Sequence, residues 1–377
     1  MNIGADRAMR NRVASLDILK IVSIFFIVIH HYALWTKWNF PSGFSLDKLT
    51  VQTMLIGGKL GVNIFVMITG YFMIHSSVKL KSIVQIWLET TIISLIIYFF
   101  LVLNSHIKVN FEILTFIRRL FPIVFGQYWF VTSYCLLYLG IPFLNKLINS
   151  LSKRLLKYGI ILGFLVLSIY PFIYYDKGLT FAFPIWFAFL YLIGASIKIF
   201  ELELRKIPYR KLFVSLSCLF FVGIIINIIL QILFSNTELK ITKLLKFFGW
   251  SETIFYTKDS SPLLLIMAVL IFVIFLKADI KSRKAYSYLA RASFGVYLMQ
   301  SAPWFSVNYL WPVLVNASRL DNGLLILIYG FFCTALIMIA GIILYSLIYP
   351  VINFIHFLLN NKYNDLEKVF YKEKGEK

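Results

Sequence analysis

The sequence is short of charge. Asp, Glu, Lys and Arg make up 14% of its 377 residues, hydrophobic residues make up 60%, and the mean hydropathy is +0.82. Soluble domains carry roughly 25% charge, so a chain this poor in polar groups could not cover itself in water, and lipid must be the solvent for much of it. Acid is the scarcer sign: 17 Asp and Glu stand against 37 Lys and Arg, a formal net charge of +20. Such a balance also suits nucleic acid, but nucleic-acid binders gather their basic residues on a water-facing patch. Here they fall in short runs between apolar stretches, the pattern that holds loops at an anionic cytoplasmic face, so no nucleic-acid partner is expected. Cysteine is rare, and Cys135, Cys218 and Cys333 each lie in a different apolar stretch without metal-ligand spacing, which leaves them as small hydrophobes. The five histidines have no Cys or His partner at metal spacing, so no metal site is expected. Long polar segments, internal repeats and low-complexity tracts are also missing, and all chemistry is expected within or beside the membrane.

What is abundant is apolar sequence in runs of spanning length, about 20 residues. The pattern predicts an all-α, polytopic transmembrane bundle of about ten spans, near 15–35, 51–75, 84–103, 127–149, 157–175, 179–199, 212–234, 260–278, 287–307 and 323–357. Residues 1–14 and 358–377 are expected as cytoplasmic N- and C-terminal segments around a transmembrane domain at 15–357. The ninth stretch is interrupted by Arg291 and Pro303, the last is long enough for Pro350 to kink it, and 111–125 is too short to span. The first run lacks a small-residue cleavage site and leads straight into further spans, unlike a cleaved signal. With the N-terminus inside, 24 of the 37 basic residues fall in inner segments and 11 in outer loops, which puts both termini in the cytoplasm. The outer segment 104–126, with Lys108, Arg118 and Arg119, runs against that bias and is expected to fold back on the protein.

Ionisable groups inside a span are expensive and usually face the bundle interior or a wet cavity. The first run carries Asp17, Lys20, His30 and His31. At about 100° per residue, Lys20 and His31 share a helix face about 16 Å apart along the axis, Asp17 lies one turn before Lys20, and His30 points about 80–100° away. Geometry leaves two readings open. Asp17 and Lys20 would be interfacial anchors with His31 at headgroup level, or the stripe is chemical, with a neutral His31 as general base. Asn63, an amide within a span, needs a partner.

Four segments then resemble one family in order along the chain. Leu16, Asp17, Lys20 and His31 match the first-span signature of the acyltransferase-3 family, integral-membrane enzymes that modify bacterial surface glycans, although that family more often has Arg in place of Lys20. Gly61-Val-Asn-Ile-Phe-Val-Met-Ile-Thr-Gly-Tyr-Phe72 is similar to its second-span motif, and Lys79 and Lys81 stand where the family usually has a pair of arginines. Gln127-Tyr-Trp-Phe130 resembles its aromatic motif. Ser293-Phe-Gly-Val-Tyr-Leu-Met-Gln300 resembles a motif that usually ends in histidine, so Gln300 can keep a hydrogen bond but not proton chemistry.

The resemblance implies a membrane O-acyltransferase that moves an acyl group, most often acetyl from acetyl-CoA, to a sugar hydroxyl of a cell-surface or lipid-linked glycan, in the bacterial cell membrane and with no bound cofactor. It casts His31, Lys20 and Asp17 as the catalytic stripe. Lys79, Lys81 and Arg291 would meet CoA phosphates at the inner mouth, and Asn63, Trp129, Tyr297 and Gln300 would line the substrate channel. The competing class is a transporter or glycolipid exporter, which would show paired interrupted helices; none stands out. An acyltransferase-like protein that senses or scaffolds without turnover is a third reading, and it draws on the altered Gln300.

Overall fold

A computed structural model describes residues 3–104, 107, 109–173 and 183–371. The chain is 81% helical and, among the described residues, has no strand. Its main helices are α1 (Ile3–Trp35), α2 (Leu46–Met73, with a turn at Leu55), α3 (Leu80–Leu103), α4 (Ile113–Leu120), α5 (Trp129–Ser150), α6 (Lys153–Ile173), α7 (Phe183–Ile199), α8 (Tyr209–Ser235), α9 (Pro262–Lys277), α10 (Lys284–Gln300), α11 (Phe305–Val315) and α12 (Gly323–Tyr371). Seven are long and apolar enough to cross a membrane: the Ala14–Trp35 part of α1, then α2, α3, α5, α6, α8 and the Gly323–Asn360 part of α12. The apolar helices α7 and α9 are shorter, at 17 and 16 residues. Residues 174–175 and 179–182 of two expected spans, and Lys108, lie outside the described residues.

The ninth stretch is shorter than its sequence suggests. α10 stops at Gln300, because Pro303 brings no N–H and biases the residue before it away from helical geometry, and Trp304 then takes a positive φ of 66°. By contrast, α12 continues through Pro350. Of the segment 104–126, residues 109–126 do fold back: α4 lies along α3, with Tyr98 Oη donating to the Glu112 carbonyl and Thr91 Oγ1 to the Leu120 carbonyl.

The core is built around α2, 83% of whose most apolar window is buried, whereas that of α8 is only 17% buried and faces outward. Small residues let the backbones meet, as lipid-embedded helices require in the absence of a hydrophobic drive between them. A Cβ on Gly61 would overlap the Ser23 carbonyl of α1, and one on Gly70 the Tyr191 carbonyl of α7. The same contacts fix directions. α2 runs antiparallel to α1 (Gly57 on Phe26, Gly61 on Ser23) and parallel to α7 (Asn63 near Trp186, Gly70 on Tyr191). α10 runs parallel to α1, and α12 antiparallel to it, with Tyr32 donating to the Ile326 carbonyl and Phe25 against Phe331.

Candidate active site

α1 carries its polar residues at two levels. At one end the buried Asp17 accepts a hydrogen bond from the Ser287 hydroxyl of α10 at 2.6 Å. At the other, about 20 Å along the axis, His31 Nδ1 lies 2.6 Å from Gln300 Oε1, also on α10. Lys20, half-buried between them, leans toward α2, its Nζ 5.6 Å from the centre of the Phe72 ring. The stripe expected from the sequence is therefore held at both ends by a single neighbouring helix.

The histidine doublet splits as its helical angle predicts. His30 is 5% exposed, its Nδ1 donates to the Leu55 carbonyl at 2.8 Å, and its ring occupies the space a Cβ on Gly58 would need. That bond and that packing commit His30 to the joint between α1 and α2. His31 lies flat on Trp35, with ring centroids 3.9 Å apart and planes 14° apart. Its hydrogen bond has a chemical consequence. An amide oxygen can only accept, so the Nδ1 proton is on His31 and the neutral ring keeps its lone pair on Nε2. The Gln300 side chain is itself oriented, its Nε2 donating to Ser301 Oγ at 2.7 Å, while its main-chain carbonyl accepts from Ser306 Oγ, which in turn accepts from Trp311 Nε1 at 3.2 Å.

Around this pair the four motif segments close into a ring. Tyr297 of α10 meets Phe130 of α5 edge-on at 5.3 Å. Phe130 meets Phe65 of α2 at 5.7 Å, and the face of Trp129 carries Lys59 Nζ of α2 at 5.3 Å. Gly58 returns the circuit to His30. Asn63 uses its oxygen to accept from Trp186 Nε1 at 3.2 Å, while its buried Nδ2 has no partner among the described residues. Such an amide in the bundle interior has a donor to spare.

Two residues at this end were not singled out from the sequence. Lys59 forms a 2.6 Å ion pair with Asp259, which lies in the loop before α9, and it sits close enough to both histidines to act on them electrostatically. The rule that flags Lys20, an ionisable group inside an apolar run, applies equally to Lys59; Asp259 has no comparable signal. Next to it, Lys258 donates to the Pro171 carbonyl at 2.6 Å, and burial pulls its ammonium down to about 8 against the opposing pull of Asp259.

The three residues expected to meet CoA are all exposed at the Asp17 end. Lys79 caps the start of α3, Lys81 lies near His356 of α12, and the Arg291 guanidinium stands 5.9 Å over the Tyr349 ring of α12. Among the described residues no contact joins Arg291 to either lysine; α12 is the neighbour that Lys81 and Arg291 share.

A helical bundle of membrane-spanning length, with an oriented imidazole at one end and an acid and a lysine toward the other, defines a membrane protein built around a polar seam. Comparison narrows the class: the family model described as an acyltransferase domain, acyltransferase-3, matches residues 13–362, nearly the whole chain. The chain belongs to the acyltransferase-3 family. No curated protein and no solved structure matches it.

Proposed function

We propose that this membrane acyltransferase moves an acyl group, most often acetyl, from acyl-CoA to a sugar hydroxyl of a cell-surface or lipid-linked glycan. The observation that carries the reading is the His31–Gln300 hydrogen bond, which leaves Nε2 of a half-buried imidazole as a free acceptor. The acceptor hydroxyl gives its proton to Nε2 as its oxygen attacks the thioester carbonyl. The C–S bond then breaks, and the leaving thiolate takes the proton back from the imidazolium. Direct transfer suits the site better than an acyl-enzyme, because His31 engages an amide and, among the described residues, no nucleophilic Ser or Cys is bonded to it. Lys20 and Asp17, toward the other end, orient the donor arm and offset charge along its path.

On this reading the chain crosses the membrane ten times, with both termini in the cytoplasm of a bacterial cell. The alternating helix directions support it, as does the bias of basic residues toward inner segments. A reporter fused after residue 377 is expected to behave as cytoplasmic; an external signal would invert the protein and place the lysines away from CoA.

CoA would then enter at the Asp17 end, where Lys79, Lys81 and Arg291 are exposed. Lys79→Ala combined with Lys81→Ala should raise the apparent KM for acyl-CoA about tenfold, the equivalent of roughly 1.4 kcal/mol of phosphate contact. Because such contacts bind donor and transition state about equally, kcat should change much less. Unchanged donor dependence would make the pair ordinary membrane anchors.

Proteoliposomes separate this function from the exporter reading. With acetyl-CoA confined to the side of the Asp17 end and a saccharide acceptor supplied on the other, acylated acceptor should form on the acceptor side while the saccharide itself stays there. Movement of unmodified saccharide, with acetyl-CoA untouched, would establish transport instead.

A further inference from the structure

Arg119 is a buried cation that no carboxylate answers among the described residues. It sits in the last turn of α4, 8% exposed, and of its five N–H donors it gives one to the Pro303 carbonyl at 3.2 Å. Among the described residues no acid pairs with it, and Glu112, on the same segment, accepts from Thr115 instead. Two hydroxyls share its niche, Ser94 Oγ of α3 and Tyr128 Oη, on residues 2% and 1% exposed; they lie near enough to act on each other and, among the described residues, have no other hydrogen-bond partner. Ile97, Tyr98, Leu101 and the Ala302–Pro303 turn close around these groups, leaving no room for a water in the closed arrangement. A guanidinium out of water with most of its donors unused is costly, and so is a buried hydroxyl short of partners. Three such groups converge at one place beside the Pro303 turn.

We propose that this niche receives an anionic oxygen group, a phosphate or carboxylate carried by the acceptor. The inference rests on the reading of His31 as the transfer site. The niche adjoins that site by chain and by packing. Ala302 and Pro303 directly follow Gln300 and Ser301, and Tyr128 precedes Trp129 and packs against Tyr297 at 6.4 Å. Arg presents a planar fork that matches phosphate and carboxylate, and the two hydroxyls donate to the remaining oxygens. Because the space is tight, the anion enters as the Arg119–Pro303 bond opens. α4 is suited to that movement, being an eight-residue helix packed chiefly along α3. An acidic or phosphorylated sugar would thus be anchored at one group while a neighbouring hydroxyl meets His31.

The test uses the full-length protein in phosphatidylcholine nanodiscs, with thermal unfolding followed as inorganic phosphate is added. Wild type should gain several degrees in Tm, Arg119→Gln should gain none, Arg119→Lys should gain part, and Tyr128→Phe should shift the response to higher phosphate. In acyl transfer, Arg119→Gln should raise KM tenfold or more for a saccharide bearing phosphate or carboxylate and leave a neutral saccharide unchanged. Equal loss for both acceptors, with a lowered Tm that ignores phosphate, would overturn the proposal and leave Arg119 as a tie to Pro303. If phosphatidylglycerol in the nanodisc replaces the phosphate effect without altering acceptor preference, the anion is a lipid headgroup and the acceptor assignment is overturned. A phosphate response lost in Arg119→Gln, in a protein that acylates nothing, would support the niche and sink the His31 mechanism alone.

Discussion

His31→Ala is expected to abolish acyl transfer, with a loss of about 10² to 10⁴ in rate, the range for removal of a general base. The fold should tolerate the change. His31 makes one side-chain hydrogen bond, stacks on Trp35 and touches the His30 ring, and the Gln300 amide it would leave keeps its bond to Ser301. His30→Ala should behave in the opposite way. Its imidazole is buried in the α1–α2 joint, bonded to the Leu55 carbonyl and filling the space over Gly58. Losing it opens a cavity and strands an acceptor, so Tm should fall while kcat changes only severalfold. Initial rates and unfolding midpoints of the two variants check this directly. A dead His30→Ala beside an active His31→Ala would exchange the roles assigned here.

Gln300 should show the second large effect. Gln300→Leu removes the acceptor for the Nδ1 proton of His31, so the ring is free to rotate and to change tautomer. The expected loss is on the order of 10- to 100-fold, typical when a group that orients a functional histidine is lost. Gln300→Glu keeps an oxygen in the same place and should lose less, as should Gln300→His, the residue the family more often carries. The loss should appear in kcat with little change in KM for the proposed acyl-CoA donor, because Gln300 touches the imidazole and lies at the opposite end of α10 from Arg291. If Gln300→Leu turns over normally, the imidazole needs no orientation and the hydrogen bond is only packing.

The sequence yields the helical class because apolar runs of about 20 residues in lipid can satisfy their backbone groups only as helices. It also yields the His30/His31 distinction, since a helix's angular step is the same in every protein. What it hides are relations between distant segments. Nothing local says that Gln300 will meet His31, 269 residues away, or that Asp259 will pair with Lys59 across 200. The end of α10 at Gln300 was obscured because hydropathy stays high through Pro303 and only the backbone chemistry of proline stops the helix. Arg119 was visible as a charge on the wrong side of a topology pattern. The cause, burial against Pro303, belongs to packing and could not be read from the charge pattern.

This bundle is expected to transfer acyl groups through His31. The most direct measurement mixes purified protein with acetyl-CoA labelled in its acetyl group, with and without a saccharide acceptor, for wild type and His31→Ala. Wild type should move label to the saccharide, with CoA thiol released in equal amount and only when acceptor is present, while His31→Ala should leave both at background. Transfer undiminished in His31→Ala, or no acetyl-CoA consumption by wild type with any acidic or neutral saccharide, would contradict it.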